Sequence, residues 1–210
     1  MAESKMLLGF NRKKKLRIRL LGDPSLSAKA KSVDSVDDEI RELSRQMLDC
    51  MYAHDGVGLA APQVGIPYQI VTLHVDPELD ESGNPLHPLS PGEAELLSRM
   101  PLTLINPEIE SSSTVCSVYE EGCLSVPKIY APVERPVSVL LKSRLLDGSL
   151  IHLECGGFLA RAIQHELDHL RGIVYVQKVK SPYFEEILPH LEKIIRKSGG
   201  GKNFKIKRLV

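Results

Sequence analysis

The sequence predicts an α+β domain, mostly antiparallel sheets around a central helix that carries His165-Glu166-Leu167-Asp168-His169. Three observations point there. Strand-like runs crowd the middle of the chain, helical periodicity flanks them on both sides, and the two do not alternate as a doubly wound sheet requires. The 210 residues suit one domain, and a 42% hydrophobic share is enough for a core. The expected organisation is a single domain over residues 1–196 and a basic tail over 197–210.

The elements follow in order. Residues 16–21 alternate in polarity and read as a short strand before the turn at Gly22-Asp23-Pro24. Ser35 with Asp38 resembles a capping box. Behind it Ile40, Leu43, Met47 and Met51 recur at helical spacing. His54-Asp55-Gly56 reads as the stop, with Gly56 suited to a left-handed cap. Residues 69–75 read as a strand. The stretch 76–101, rich in Pro, Gly, Ser and acids, reads as a long surface loop with one helical turn around 93–98. Runs 102–105, 114–119, 136–142 and 150–154 read as strands, separated by turns such as Asp147-Gly148. Gly156-Gly157 opens a buried helix over 158–170. Residues 173–177 suggest a last short strand, and Pro182 starts a helix to about residue 196.

Charge narrows the possible partners. Lys plus Arg (27) balance Asp plus Glu (27), so no global field draws the chain to DNA, and direct DNA binding is not expected. Basic residues gather at the ends: Arg12, Lys13, Lys14, Lys15, Arg17 and Arg19, then Lys197, Lys202, Lys205, Lys207 and Arg208. They read as solvated ends or as contacts with a large polyanion such as the ribosome or RNA. No apolar run approaches the ~20 residues of a membrane span. Cys50, Cys116, Cys123 and Cys155 form no CxxC pair and no disulfide framework, which fits reduced thiols and a cytoplasmic location. Cys50, Cys116 and Cys155 read as small core residues.

The strongest chemical signal is the HExxH segment. On a helix, His165 and His169 share one face a turn apart and can bind one metal. Glu166 can then reach a metal-bound water and take its proton. A catalytic site needs a third ligand, and three sources stand open. A histidine six residues on is replaced by Tyr175. A following helix offers Glu185 or Glu186. Cys123, in Tyr-Glu-Glu-Gly-Cys-Leu-Ser-Val-Pro, has the best context among the cysteines, with Gly122 giving backbone freedom and Pro127 ending the segment. A third segment, Gly56-Val57-Gly58-Leu59-Ala60-Ala61-Pro62-Gln63, is not a phosphate loop. It reads as a backbone edge for an extended peptide, with Gln63 placed to donate to an oxyanion.

Together these segments resemble peptide deformylase. The resemblance rests on residues 56–63, on Glu121-Gly122-Cys123-Leu124-Ser125 and on Gln164-His165-Glu166-Leu167-Asp168-His169, in that order. It extends through Leu104-Ile105-Asn106-Pro107 and covers roughly residues 16–180. It implies that Cys123, His165 and His169 bind one divalent metal, Fe(II) first, with zinc, nickel or cobalt able to replace it. It implies Glu166 as general base and then acid, and Gln63 with the Leu124 N–H as oxyanion donors. Val57 and Gly58 would pair with the peptide, and Tyr119, Phe158 and Ala162 would line the side-chain pocket. The implied substrate is the N-terminal formylmethionine of newly made proteins. Tyr130 stands where many members carry an arginine. Two other readings are an internal peptidase using Glu185 or Glu186, and a non-catalytic RNA-binding protein with a structural metal. The latter normally needs four ligands.

Overall fold

The computed structural model describes residues 15–77, 79–86, 88–199 and 206–210. Arg12, Lys13, Lys14, Lys202 and Lys205 of the basic ends lie outside the described residues.

The first helix, α1 (Asp38–Tyr52), buries Ile40, Leu43, Met47 and Met51, as its periodicity requires. Its cap is Asp37, whose carboxylate accepts from the N–H groups of Glu39 and Ile40, so the Ser35–Asp38 box does not form. The left-handed residue past its end is Asp55 (φ 55°), not Gly56. The helix stops at Tyr52, and an aspartate tolerates that conformation.

Among the described residues seven strands make two sheets. The larger is antiparallel in the order β1 (Gly58–Ala60), β2 (Ile70–Leu73), β3 (Leu102–Ser112), β6 (Ser138–Arg144) and β7 (Leu150–Gly156). The smaller pairs β4 (Cys116–Cys123) with β5 (Val126–Pro136). β5 escaped the sequence reading, which took Pro127 as the end of the segment. It has a partner on one side only, which is where a strand tolerates proline, so Pro127 does not end the segment.

Other expectations change in the fold. Residues 16–20 form no strand. Arg19 N–H donates to Gln63 O (2.7 Å) and Leu21 N–H to Ser125 O (2.9 Å), single bonds to two separate elements. Residues 173–177 also form no strand. Tyr175–Lys178 is a 3₁₀ turn, closed by Gln177 Oε1 accepting from Val174 N–H at 2.8 Å. Within 76–101 lies a full helix, α2 (Pro91–Ser98), capped by Ser90 and burying Leu96. Cys50 and Cys155 are buried, but Cys116 is exposed, because the first half of β4 runs beyond the core.

α3 (Gly157–Leu170) buries every residue from Leu159 to Leu170. Its Leu159, Ile163 and Leu167 pack with Val71, Leu104, Val139 and Leu141 of the large sheet. α4 (Tyr183–Lys197) begins after Pro182 and packs Phe184, Leu191 and Ile195 with Val126 and Val133 of β5. α3 thus packs on the large sheet and also bonds the small one, Arg161 donating to Val133 O and Ser117 O. Among the described residues no helix is long and apolar enough to cross a membrane.

Candidate metal centre and active-site cavity

Two elements converge on one point. Cys123 ends β4, and Leu124 and Ser125 turn the chain so that Cys123 pairs back with Val126. α3 brings His165 and His169 one turn apart, their ring centroids 5.1 Å from each other. Cys123 Sγ lies 3.2 Å from His169 Nε2, and the three donor atoms all lie within 4.8 Å of one another. A thiolate and two imidazoles in that space fit one divalent cation with an open position. His165 Nδ1 faces Glu121 Oε2 at 2.9 Å, which leaves Nε2 for a metal. His169 Nδ1 is buried without a partner among the described residues, while its Nε2 faces Cys123 Sγ. Among the described residues this is the one such group of donors.

The competing residues do not join this group of donors. Glu185 and Glu186 are exposed on α4, and Glu185 accepts from Ser181 Oγ at 2.8 Å. Tyr175 sits behind the centre instead. Its ring stacks on His165 (5.9 Å between centroids), and its hydroxyl donates to Ile129 O at 2.8 Å.

Glu166 is buried at the wall of a cavity of about 660 Å³, with Oε2 unpartnered among the described residues. Burial pushes its pKa up to about 7, against the opposing pull of His165 and Arg135. Gln63 is fixed from one end, its Oε1 accepting from Ala60 N–H at 2.8 Å. Its Nε2 therefore turns toward Cys123 Sγ (3.4 Å) and Ser125 Oγ (3.3 Å). Val57, Gly58, Leu124, Phe158 and Ala162 line the same cavity. Tyr119 does not. It borders an adjoining hollow of about 190 Å³, shared with Phe158 and Arg161. Tyr130 lines the cavity while 65% exposed, its ring lying on the bare backbone of Gly122.

Sequence reasoning missed the charges behind the centre. Arg135, 2% exposed, donates through Nε and a terminal nitrogen to Glu121 (2.6 and 2.8 Å) and through the other to Asp168 (2.7 Å). Arg161 adds a third bond to Glu121 at 2.8 Å. Burial works to raise the Glu121 pKa, but the bonds from Arg135 and His165 prevail and hold the carboxyl well below its ordinary range. Glu121 therefore stays an acceptor for His165. Its place in a motif flagged it, but nothing in the sequence paired it with Arg135.

Comparison with known proteins agrees with this geometry. A family model described as polypeptide deformylase matches residues 15–184. Peptide deformylase 2 of Gloeobacter violaceus is 44% identical over 166 residues, covering 79% of this chain and 80% of that one. The structure of a Synechococcus elongatus peptide deformylase in complex with actinonin aligns over 100% of both chains, with a TM-score of 0.71 and 36% identity. Arabidopsis thaliana peptide deformylase 1B aligns over 92% of this chain and 98% of that one, with a TM-score of 0.74 and 32% identity. With motifs, fold and relatives in agreement, the chain belongs to the peptide deformylases, the metal-dependent hydrolases that remove the N-formyl group from nascent peptides.

Proposed function

We propose that Cys123, His165 and His169 hold one Fe(II) ion and that Glu166 moves the proton as the formyl group leaves formylmethionine. One observation carries this reading: three mutually close donors, of which Cys123 and His165 line the cavity, stand beside a buried carboxylate in the same wall whose pKa is pushed up to about 7. Zinc, nickel or cobalt suit the same donors. The bound cation supplies Lewis acidity, which lowers the pKa of water toward neutrality.

The chain's own residues do the rest. Glu166 takes a proton from water near neutral pH and returns it to the leaving amine. Gln63 Nε2 and the Leu124 N–H donate to the oxygen that gains charge at the formyl carbon. The substrate backbone pairs with Gly58, the first residue of β1 at the end of the large sheet, and with Val57 just before it. The methionine side chain lies toward Phe158 and Ala162, with Tyr119 closing the adjoining hollow. Residues 1–196 act as one catalytic domain in the cytoplasm, and the basic tail at 197–210 serves contact with the ribosome.

The test is release of formate from formyl-Met-Ala by protein purified without oxygen, beside Glu166→Ala. Rapid release by the parent and a loss of roughly 10²–10⁴-fold in the variant are expected. No release from the metal-loaded parent would overturn the reading. Salt-sensitive co-sedimentation with ribosomes, lost on deleting 197–210, tests the tail.

A further inference from the structure

The 3₁₀ turn Tyr175–Lys178 touches the candidate metal centre twice without supplying a ligand. Tyr175 stacks on His165, and three residues later Lys178 Nζ reaches both oxygens of Asp168, at 2.9 and 2.7 Å. Asp168 precedes His169 on α3 and is buried. Its other partner is Arg135, the residue that also holds Glu121 against His165.

Two buried carboxylates thus share one guanidinium, and Lys178 relieves the competition between them. We propose that Lys178 is a positioning residue for the metal centre, acting through Asp168, Arg135 and Glu121 on the orientation of His165. With the Lys178 charge gone, Asp168 keeps Arg135 as its one charged partner among the described residues. A buried carboxylate so deprived draws the guanidinium toward itself. Arg135 then yields part of its grip on Glu121, and the Glu121–His165 bond that presents Nε2 loses its fixed direction. Groups that orient metal ligands typically change metal affinity 10–100-fold when removed. Lys178 stands further out and its side chain is 28% exposed, so the lower end of that range applies.

This inference rests on the proposed metal site, and the experiment separates the two. Zn(II) affinity is measured by chelator competition for the parent, Lys178→Met and Lys178→Arg, with thermal unfolding of each protein in the metal-free state. The expected result is affinity about tenfold weaker in Lys178→Met and restored within about twofold in Lys178→Arg. Equal zinc affinity in the parent and Lys178→Met would overturn the positioning role, even if the variant unfolds at a lower temperature. Weakening that Lys178→Arg fails to reverse would also overturn it. Failure of the parent itself to bind zinc would remove the metal-site reading, and this inference with it.

Discussion

Gly58 and Glu166 touch across the cavity wall. A Cβ built at Gly58 would overlap Glu166 Oε1 and come within 2.9 Å of Cδ and 3.0 Å of Cγ. A bare backbone at 58 therefore lets the carboxylate stand against β1, beside the strand edge proposed to take the substrate. Gly58→Ala displaces the group proposed to move the proton. It is expected to lower kcat/KM for formate release on the order of 10²-fold, since a shift of about 1 Å in a reacting group costs that much. A variant within threefold of the parent would show that the carboxylate finds another productive position.

Glu166 also makes the metal-free fold sensitive to pH. Its folded pKa, about 7, is raised from an ordinary 4.5, because burial disfavours the charged form. The folded state then binds the proton more tightly than the unfolded one. This costs nothing below pH 4 and destabilises progressively as pH rises through 7. Glu166→Gln removes that cost, so the metal-free variant should gain on the order of 2–3 kcal/mol over the parent at pH 8 and little at pH 4.5. Urea unfolding at the two pH values reads the difference. A gain that does not grow with pH would remove the explanation.

Gln63 has its amide nitrogen aimed by the Ala60 N–H, which occupies its carbonyl oxygen at 2.8 Å. Gln63→Leu keeps similar volume and deletes the donor. The expected outcome is kcat lower by roughly 10²–10³-fold with a smaller change in KM, as for loss of one oxyanion donor. A drop in affinity alone would make Gln63 a binding residue.

Metal retention separates the proposed ligand set from its sequence rivals. Cys123→Ala should abolish stoichiometric metal binding, while Glu185→Ala, at an exposed position on α4, should leave it intact. Elemental analysis after dialysis decides between them.

Arg135 and Arg45 both pair with two acidic residues, in opposite environments. Arg135 is 2% exposed between Glu121 and Asp168, whereas Arg45 is 60% exposed between Glu42 and Asp49. Arg135→Leu strands two buried carboxylates and should cost about 3–5 kcal/mol. Arg45→Ala should leave stability close to the parent's, because solvent screens its pairs. Comparable losses in denaturant unfolding would show that the buried network is not what distinguishes Arg135.

Whatever depends on a local period was legible in the chain. His165 and His169 had to share a helix face, Glu166 had to sit beside them, and Ile40, Leu43, Met47 and Met51 had to turn inward. Tertiary structure alone decided which distant groups meet. Cys123, Glu185 and Glu186 were all eligible ligands until the β4–β5 hairpin brought the thiol to the histidines. The bonds that tie Glu121, Arg135, Asp168 and Lys178 together join separate elements. Local pattern records how a segment folds on itself, but not which segment it will face. For the same reason β5 was missed beyond Pro127 and Cys116 was expected inside. Pairing on one side makes proline acceptable in a strand, and the reach of the hairpin beyond the core leaves Cys116 in water.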